Sequence, residues 1–299
     1  MRTLIIGTSG QLGAQLSQLL SADSSVITAG RGEEDQVFLD LSRPADMRAT
    51  LETLDVDRVI NAAAYTAVDA AEEDVATARA VNTDAVEVLA TFCGAREIPF
   101  IHYSTDYVFD GESDSAYVET DATNPLSVYG QTKLEGDEAT QNMAGPHLVF
   151  RTGWVYESQG KNFVNTMLRL ARTEGPIRVV DDQVGTPTRA LDLAKLTLEV
   201  LRQAENNGLD WWETHSGLYH ACAPDHTSWY NFAKHVIATG YSQKRADDVQ
   251  PIPTLDFPTP ARRPAWSVMS TTKLKEAFGL ELPAWRSQVD AMLAELKKG

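Results

Sequence analysis

Tyr129 and Lys133 are four residues apart in a segment predicted to be helical, so both side chains would lie on one helix face. A phenol has a pKa near 10, and lowering that value to about 7 requires about 4 kcal/mol. One ammonium about 4 Å away supplies about 4 kcal/mol at an effective dielectric constant of about 20. The pair is therefore suited to proton donation onto a reacting oxygen.

A second pair, Tyr230 and Lys234, has the same spacing, so spacing alone does not identify the acid. The first pair has a distinctive context. It follows a buried, β-branched run at 99–105 that ends in Ser104 and Thr105, whose hydroxyls would face a substrate carbonyl. We therefore predict that the first pair is catalytic and that the second belongs to the core, as isolated aromatic and lysine pairs usually do.

A glycine-rich turn opens the chain. Gly7, Gly10 and Gly13 follow a short aliphatic run and precede apolar residues at helical spacing. Glycine lets the backbone approach a pyrophosphate, and the new helix offers free N–H groups and a positive dipole end. Because the turn lies between a strand and a helix, it predicts a dinucleotide site rather than an ordinary strand–turn–helix corner.

The second predicted strand, 25–30, bears on cofactor choice. Gly30 and Arg31 stand where NAD-specific folds often place an acid for the ribose hydroxyls. Arginine suits a 2′-phosphate, so the sequence favours or at least admits NADP(H); a solvated arginine is the alternative. Asp40, in a predicted third strand at 37–41, would meet the adenine edge or cap the next helix.

Strand alternates with helix to about residue 150, which predicts a Rossmann-type, doubly wound parallel α/β sheet. Three alanines at 62–64 follow another predicted strand and leave room for a cofactor at its carboxyl end. We predict a dinucleotide-binding domain at 1–150 and a smaller, mainly substrate-binding lobe at 151–299. Segments around 176–205 are expected to pack back on the first domain.

Composition limits the partners. The 299 residues include 26 Lys and Arg against 42 Asp and Glu, a net charge of −16, which argues against nucleic acid or anionic membranes. No apolar stretch of about 20 residues or signal peptide is recognised, so we expect a cytoplasmic protein. Two cysteines and six scattered histidines lack ligand spacing, so no metal site is predicted.

Several motifs together resemble the extended short-chain dehydrogenase/reductases, and within them the reductases of nucleotide-linked 4-ketosugars. The resemblance covers essentially the whole chain. Its motifs are GxxGxxG at 7–13, NAAAYTAVDAAE at 61–72, STDYVFDG at 104–111, PLSVYGQTK at 125–133, RTGWVY at 151–156, NFVNTML at 162–168 and DQVGTPT at 182–188.

This resemblance implies that Tyr129 protonates the C4 oxygen of a dTDP-linked 4-dehydro-6-deoxysugar while NADPH, or NADH, delivers hydride to C4. Lys133 would hold the nicotinamide ribose and lower the tyrosine pKa, and Thr105 would hydrogen-bond the reacting oxygen. The implied substrate contacts are Thr105, Asp106, Tyr107 and Trp154. The implied cofactor contacts are Gly7, Gly10, Gln11, Leu12, Gly13, Arg31, Asp40, Leu41, Ala62, Ala63, Ala64, Tyr65, Tyr129 and Lys133.

The chain also departs from the family. Some members dimerise through a metal bridged by glutamates, but the matching positions here carry Gln15 and Leu191. We therefore expect a monomer, or a homodimer that no metal bridges. An anionic diphosphate needs local positive charge, and the candidate residues are Lys161, Arg169, Arg172, Arg178, Arg262 and Arg263.

Two alternatives stay open. One is a reductase of another nucleotide-linked 4-ketosugar, with the same fold and acid but a different sugar-facing shell. The other is a non-catalytic regulatory subunit that keeps the fold and cofactor site. The intact set of Thr105, Tyr129 and Lys133 weighs against the second, because a binding protein has no chemical need for all three.

Overall fold

The computed structural model describes residues 1–21 and 25–297. The strands are β1 (Arg2–Ile6), β2 (Ser25–Gly30), β3 (Val37–Phe38), β4 (Arg58–Asn61), β5 (Phe100–Thr105), β6 (His147–Thr152), β7 (Val155–Tyr156), β8 (Ile177–Val180), β9 (Val184–Gly185), β10 (Thr188–Arg189), β11 (Gly217–His220), β12 (Thr227–Ser228) and β13 (Val249–Ile252). The helices are α1 (Gln11–Leu20), α2 (Pro44–Glu52), α3 (Val68–Ala71), α4 (Val75–Arg79), α5 (Ala85–Arg96), α6 (Val128–Gln141), α7 (Phe163–Leu170), α8 (Ala190–Asn207), α9 (Asp210–His215), α10 (Trp229–Gly240), α11 (Gln243–Asp247), α12 (Thr272–Phe278) and α13 (Trp285–Leu296). A π-helical turn, Ala80–Asp84, joins α4 to α5.

Within the described residues, seven strands form a parallel central sheet in the order β11-β6-β5-β4-β1-β2-β3. Reading from β3 to β6, this is the strand order of dinucleotide-binding Rossmann folds. The predicted doubly wound α/β sheet is therefore confirmed. In such sheets ligands bind beyond the carboxyl ends of the strands, where the order reverses between β1 and β4.

Helices cover both faces of the sheet. On one face α1 and α8 form a core in which Leu16 and Leu193 are buried with Tyr219 of β11. On the other face α2 and α5 bury Leu51 and Leu89 against β1 and β5. Apolar burial at about 25 cal/mol per Å² holds these layers together. No described helix is long and apolar enough to cross a membrane.

A second lobe has its own core, formed by α7, α10, α13 and the parallel pair β8 and β13. Val164, Phe232 and Trp285 are fully buried there. The chain beyond residue 150 does not stay in this lobe, because α8 packs on α1 and β11 pairs with β6 in the central sheet. Residues on both sides of position 150 thus build the sheet.

Gln11 connects the two parts of the molecule. Its side-chain amide donates to the carbonyl of Val155 at 3.4 Å, and Asn162 donates to its carbonyl oxygen at 2.8 Å. Gln11 is the first residue of α1, so this link fixes the second lobe directly over the glycine-rich turn.

Candidate active site

The carboxyl end of β5 and the first turn of α6 bring the candidate acid into place. Thr105 ends β5, and its hydroxyl accepts from the Tyr107 backbone at 3.2 Å and donates to Asp106 at 3.1 Å. Ser127 caps α6 by accepting from the Gly130 backbone at 3.2 Å. A Cβ on Gly130 would overlap the carbonyl of Tyr107, so α6 packs directly on the backbone that follows β5.

The Tyr129 ring meets the Tyr107 ring edge to face, with centroids 5.9 Å apart. Burial raises the pKa of Tyr129 to about 12, and a hydrogen bond with Thr105 offsets part of that rise. The expected lowering by Lys133 is not seen, because the charges acting on the phenol are the carboxylates of Asp106 and Asp137. The phenol is therefore protonated at neutral pH, as a proton donor must be.

Lys133 is fully buried beneath β5. Its ammonium donates to the Tyr103 carbonyl at 2.6 Å and lies 3.1 Å from Nε2 of His102. Burial lowers the pKa of Lys133 to about 8, while the charge of Asp137 acts in the opposite direction. The lysine is thus aimed at the strand backbone rather than at the phenol.

His102 is a residue that sequence reasoning did not select, because the six scattered histidines show no ligand spacing. It is fully buried, burial lowers its pKa well below the ordinary value, and its Nδ1 lies 3.3 Å from the side-chain amide of Asn61. Asn61, at the end of β4, also accepts from the Ala63 backbone at 3.2 Å. The signal available in the sequence was its place on the buried strand that ends in Thr105.

We expect the pH profile of kcat/KM to reflect Lys133. A lysine is charged below its pKa and neutral above it, so activity that needs this ammonium should fall as pH rises through about 8. The measurement is kcat/KM between about pH 6 and 10, since that constant reports groups of the free enzyme.

A matched variant sharpens this test. Asp137→Asn should move the falling limb to lower pH, because Asp137 raises the pKa of Lys133. A profile that stays flat through the alkaline range in both proteins would contradict the assignment. Tyr129 cannot produce the same limb, since its pKa is about 12.

A buried ion pair joins α6 to strand β6 of the central sheet. Nε of Arg151, on β6, donates to Asp137 at 2.9 Å, and both side chains are almost fully buried. Burial raises the pKa of Asp137, and the charges of Arg151 and Lys133 oppose that rise. The pair therefore fixes α6, and with it Tyr129 and Lys133, against the central sheet.

Removing one member of this pair should be costly. Asp137→Ala leaves the Arg151 guanidinium buried and unpaired, so we expect the free energy of unfolding to fall by about 3–5 kcal/mol. Asp46→Ala is the matched control, because the Arg43–Asp46 pair is exposed and such pairs contribute less than about 1 kcal/mol. Urea denaturation measures both; equal losses would refute a supporting role for the buried pair.

The glycine-rich turn fits a dinucleotide. Gly7 has φ of +89°, and a Cβ there would lie 2.8 Å from Ala63, so only glycine lets the turn pack this closely on the 62–65 segment. A Cβ on Gly13 would overlap the Gly7 carbonyl. Within the described chain, no side chain caps the first turn of α1, so its N–H groups stay available to a phosphate.

Not every predicted cofactor contact can reach a dinucleotide with its side chain. Leu12 and Leu41 are buried in the two cores of the central sheet, so only their backbones can face a ligand. Arg31 is exposed, and Asp40 is half-buried with its carboxylate accepting from the backbone and hydroxyl of Ser42 at 3.0 and 2.7 Å.

The alanine segment is held by Asn82, in the π-helical turn. Asn82 accepts from the Tyr65 backbone at 2.8 Å and donates to its carbonyl at 3.2 Å. The same side chain donates to the Thr132 hydroxyl of α6 at 3.2 Å. A π turn displaces a helix by one residue and is frequent at functional sites. Here it ties the 62–65 segment to the helix that carries Tyr129.

Among the six basic residues considered for a diphosphate, Arg263 lies beside Tyr107, whose ring packs on that of the candidate acid. Its charge acts on Tyr107, and its guanidinium pairs with Asp69 of α3 at 2.9 Å. Arg178 instead pairs with Asp256 at 3.4 Å on the surface. The remaining four, Lys161, Arg169, Arg172 and Arg262, are exposed.

Trp154, predicted to contact the substrate, follows β6 with φ of +48°, a left-handed conformation that is strained for a bulky residue. Its indole stacks on Trp229 of α10 with ring centroids 3.4 Å apart. Such backbone strain persists where surrounding packing imposes it, often at ligand sites. The stack places an aromatic wall between β6 and the second lobe.

Tyr230 and Lys234, the competing pair, lie on α10 in the second lobe. The lysine Nζ is 5.4 Å from the tyrosine ring centroid, a cation–π contact within one helix face. Tyr230 packs partly against the core of that lobe. Neither residue belongs to the end of β5.

Comparison with known proteins places this chain in a family. The model of the RmlD substrate binding domain matches residues 1–298. The chain belongs to the RmlD substrate binding domain family. The resemblance inferred from the motifs is thereby confirmed.

This RmlD-family chain has relatives of similar length. It is 43% identical over 301 residues to a dTDP-4-dehydrorhamnose reductase of Burkholderia thailandensis, covering 99% of each chain. A solved dTDP-4-dehydrorhamnose reductase from Clostridium acetobutylicum has TM-score 0.89 at 32% identity, covering 99% of this chain and 100% of that one. The enzyme from Bacillus anthracis, solved in complex with NADP, has TM-score 0.86 at 28% identity, with 98% and 99% covered.

Proposed function

We propose that this protein reduces the C4 ketone of dTDP-4-dehydro-6-deoxy-L-mannose (dTDP-4-dehydrorhamnose) to dTDP-L-rhamnose, with NADPH or NADH as reductant. The observation that carries the proposal is the grouping of Thr105, Tyr129 and Lys133 at the end of β5, in a chain of this family. The glycine-rich turn and the alanine segment at 62–65 supply the dinucleotide site beside it.

The chain's own residues supply acid catalysis. Bound NADPH or NADH provides the hydride that C4 receives. Tyr129 donates its phenolic proton to the C4 oxygen, so the ketone becomes an alcohol and the phenol becomes a phenolate. Thr105 hydrogen-bonds the same oxygen and orients the phenol, and the ammonium of Lys133, which donates to the Tyr103 carbonyl, would hold the nicotinamide ribose.

Substrate binding falls to the residues around this acid. Asp106, Tyr107 and Trp154 line the sugar side, where Trp154 offers an aromatic face backed by Trp229. Arg263, which lies beside Tyr107, is the basic residue best placed to meet a diphosphate. When the substrate binds, Arg263 would exchange its anionic partner Asp69 for the diphosphate.

The test is turnover of the purified protein with dTDP-4-dehydro-6-deoxy-L-mannose, generated in situ, followed by loss of the reduced nicotinamide absorbance. Formation of dTDP-L-rhamnose, identified by mass and NMR, supports the proposal. Turnover only with another nucleotide-linked 4-ketosugar would refute this substrate and favour the related reductase. Cofactor binding without turnover of any such sugar would favour the regulatory subunit.

We further propose that the protein works in the cytoplasm as a monomer, or as a homodimer that no metal bridges. Gln15 on α1 and Leu191 on α8 stand where metal-bridged family members are expected to carry glutamates. Neither side chain binds divalent cations as a carboxylate does. Sedimentation with and without a chelator separates these assemblies, since a metal-bridged dimer would dissociate when the metal is removed.

A further inference from the structure

The loop after β2, residues 31–36, brings a carboxylate to the dinucleotide site from an unexpected position. In many dinucleotide-binding folds an acid at the end of the second strand accepts hydrogen bonds from the adenosine ribose. Gly30 occupies that place here and has no side chain, and Arg31 follows it. From these two residues the sequence favours a 2′-phosphate at this site.

Asp35 changes that expectation. One of its carboxylate oxygens accepts from the Thr8 hydroxyl, in the glycine-rich turn, at 2.7 Å. The other accepts from the Gly32 backbone at 3.0 Å. A Cβ built on Gly30 would lie 2.5 Å from that second oxygen. The carboxylate therefore fills the space that a side chain at residue 30 would enter, between β2 and the glycine-rich turn.

The rest of the loop differs from Asp35 in exposure. Glu33 and Glu34 are exposed, whereas Asp35 is half-buried. A carboxylate offers about four acceptor positions. Thr8 and Gly32 use two of them, which leaves capacity for two further donors, the number that a ribose with free 2′ and 3′ hydroxyls presents.

The positive charge of Arg31 does not act on the Asp35 carboxylate alone, because the carboxylate of Asp40 also lies near Arg31. Burial raises the pKa of Asp40, but hydrogen bonds from Ser42 and the charges of Arg31 and Arg43 bring it below the usual value. Arg31 thus has a carboxylate neighbour of its own, and the loop contributes Asp35 in addition.

We propose that Asp35 selects the cofactor: its carboxylate accepts from the adenosine ribose hydroxyls of NADH and repels the 2′-phosphate of NADPH. The inference rests on the proposed function, since it concerns the same dinucleotide site. It makes Asp35, rather than residue 30 or 31, the ribose-reading acid of this chain.

The experiment measures dissociation constants of NADH and NADPH for the full chain by calorimetry, with no sugar present. The wild type should bind NADH more tightly. Asp35→Asn keeps the shape and removes the charge, so the ratio Kd(NADPH)/Kd(NADH) should fall by roughly 10-fold or more, as expected for loss of a charged hydrogen-bond acceptor. Asp35→Ser, a second neutral replacement, should shift the ratio in the same direction.

Glu34→Gln is the matched control, because it removes the same charge from the neighbouring, exposed position. Its ratio should stay within about twofold of the wild type, as expected for an exposed charge. An unchanged ratio in both Asp35 variants, or equal shifts in the Asp35 and Glu34 variants, would overturn the selection by Asp35. A wild type that binds neither nucleotide would instead contradict the proposed function.

Discussion

Tyr129→Phe should reduce kcat by roughly 10²- to 10⁴-fold, the range that positioned general acids contribute. The substitution removes one oxygen and leaves the ring, so the edge-to-face contact with Tyr107 at 5.9 Å is retained. Cofactor affinity and the free energy of unfolding should therefore change little. Stopped-flow hydride transfer, with calorimetry of cofactor binding, separates the two effects.

Tyr107→Phe is a useful comparison, because it removes a hydroxyl from the neighbouring ring. That hydroxyl lies beside Arg263, so its loss should act on substrate affinity more than on kcat. Near-wild-type turnover by the Tyr129 variant would refute the assignment of the acid. Equal losses of kcat in the two variants would show that the chemistry does not depend on Tyr129 in particular.

Lys133→Ala should lower kcat/KM by roughly 10²-fold or more and should also weaken cofactor binding. The buried ammonium that donates to Tyr103 at 2.6 Å is lost, and its carbonyl is left without that donor. Steady-state kinetics and cofactor titration, read together with urea denaturation, distinguish a catalytic loss from unfolding.

Lys234→Ala provides the control with the same spacing from a tyrosine. That lysine is half-buried on α10 against the ring of Tyr230, and it should change kcat/KM by less than about twofold. A large loss at Lys234 with a small one at Lys133 would mean that the wrong pair had been chosen from the sequence.

Local sequence signals were sufficient for much of the fold. The apolar run before Thr105 became β5, in which every residue is buried, and the segment predicted to be helical around Tyr129 and Lys133 is α6, which begins at Val128 with Ser127 as its cap. Both features depend on residues within a few positions of each other. Hydrophobic periodicity and capping report such short-range order directly.

Contacts between distant parts of the chain carried no comparable signal. Lys133 meets His102 from another element, and Arg263 reaches Asp69 across 194 positions. The pKa of Tyr129 was misjudged for the same reason, because an i,i+4 lysine was assumed to face the phenol. Desolvation and the direction of an ammonium depend on tertiary packing, which spacing along one helix does not specify.

The Asn82 link has a consequence for how the molecule opens. Three hydrogen bonds from one buried side chain join the backbone of Tyr65 to Thr132 of α6. Neither the 62–65 segment nor the start of α6 can separate from the π-helical turn without breaking these hydrogen bonds. These segments should therefore exchange their amide hydrogens as a single cooperative unit, with one shared opening free energy. Thermal fluctuations that loosen the 62–65 segment would then displace the proton donor at the same moment.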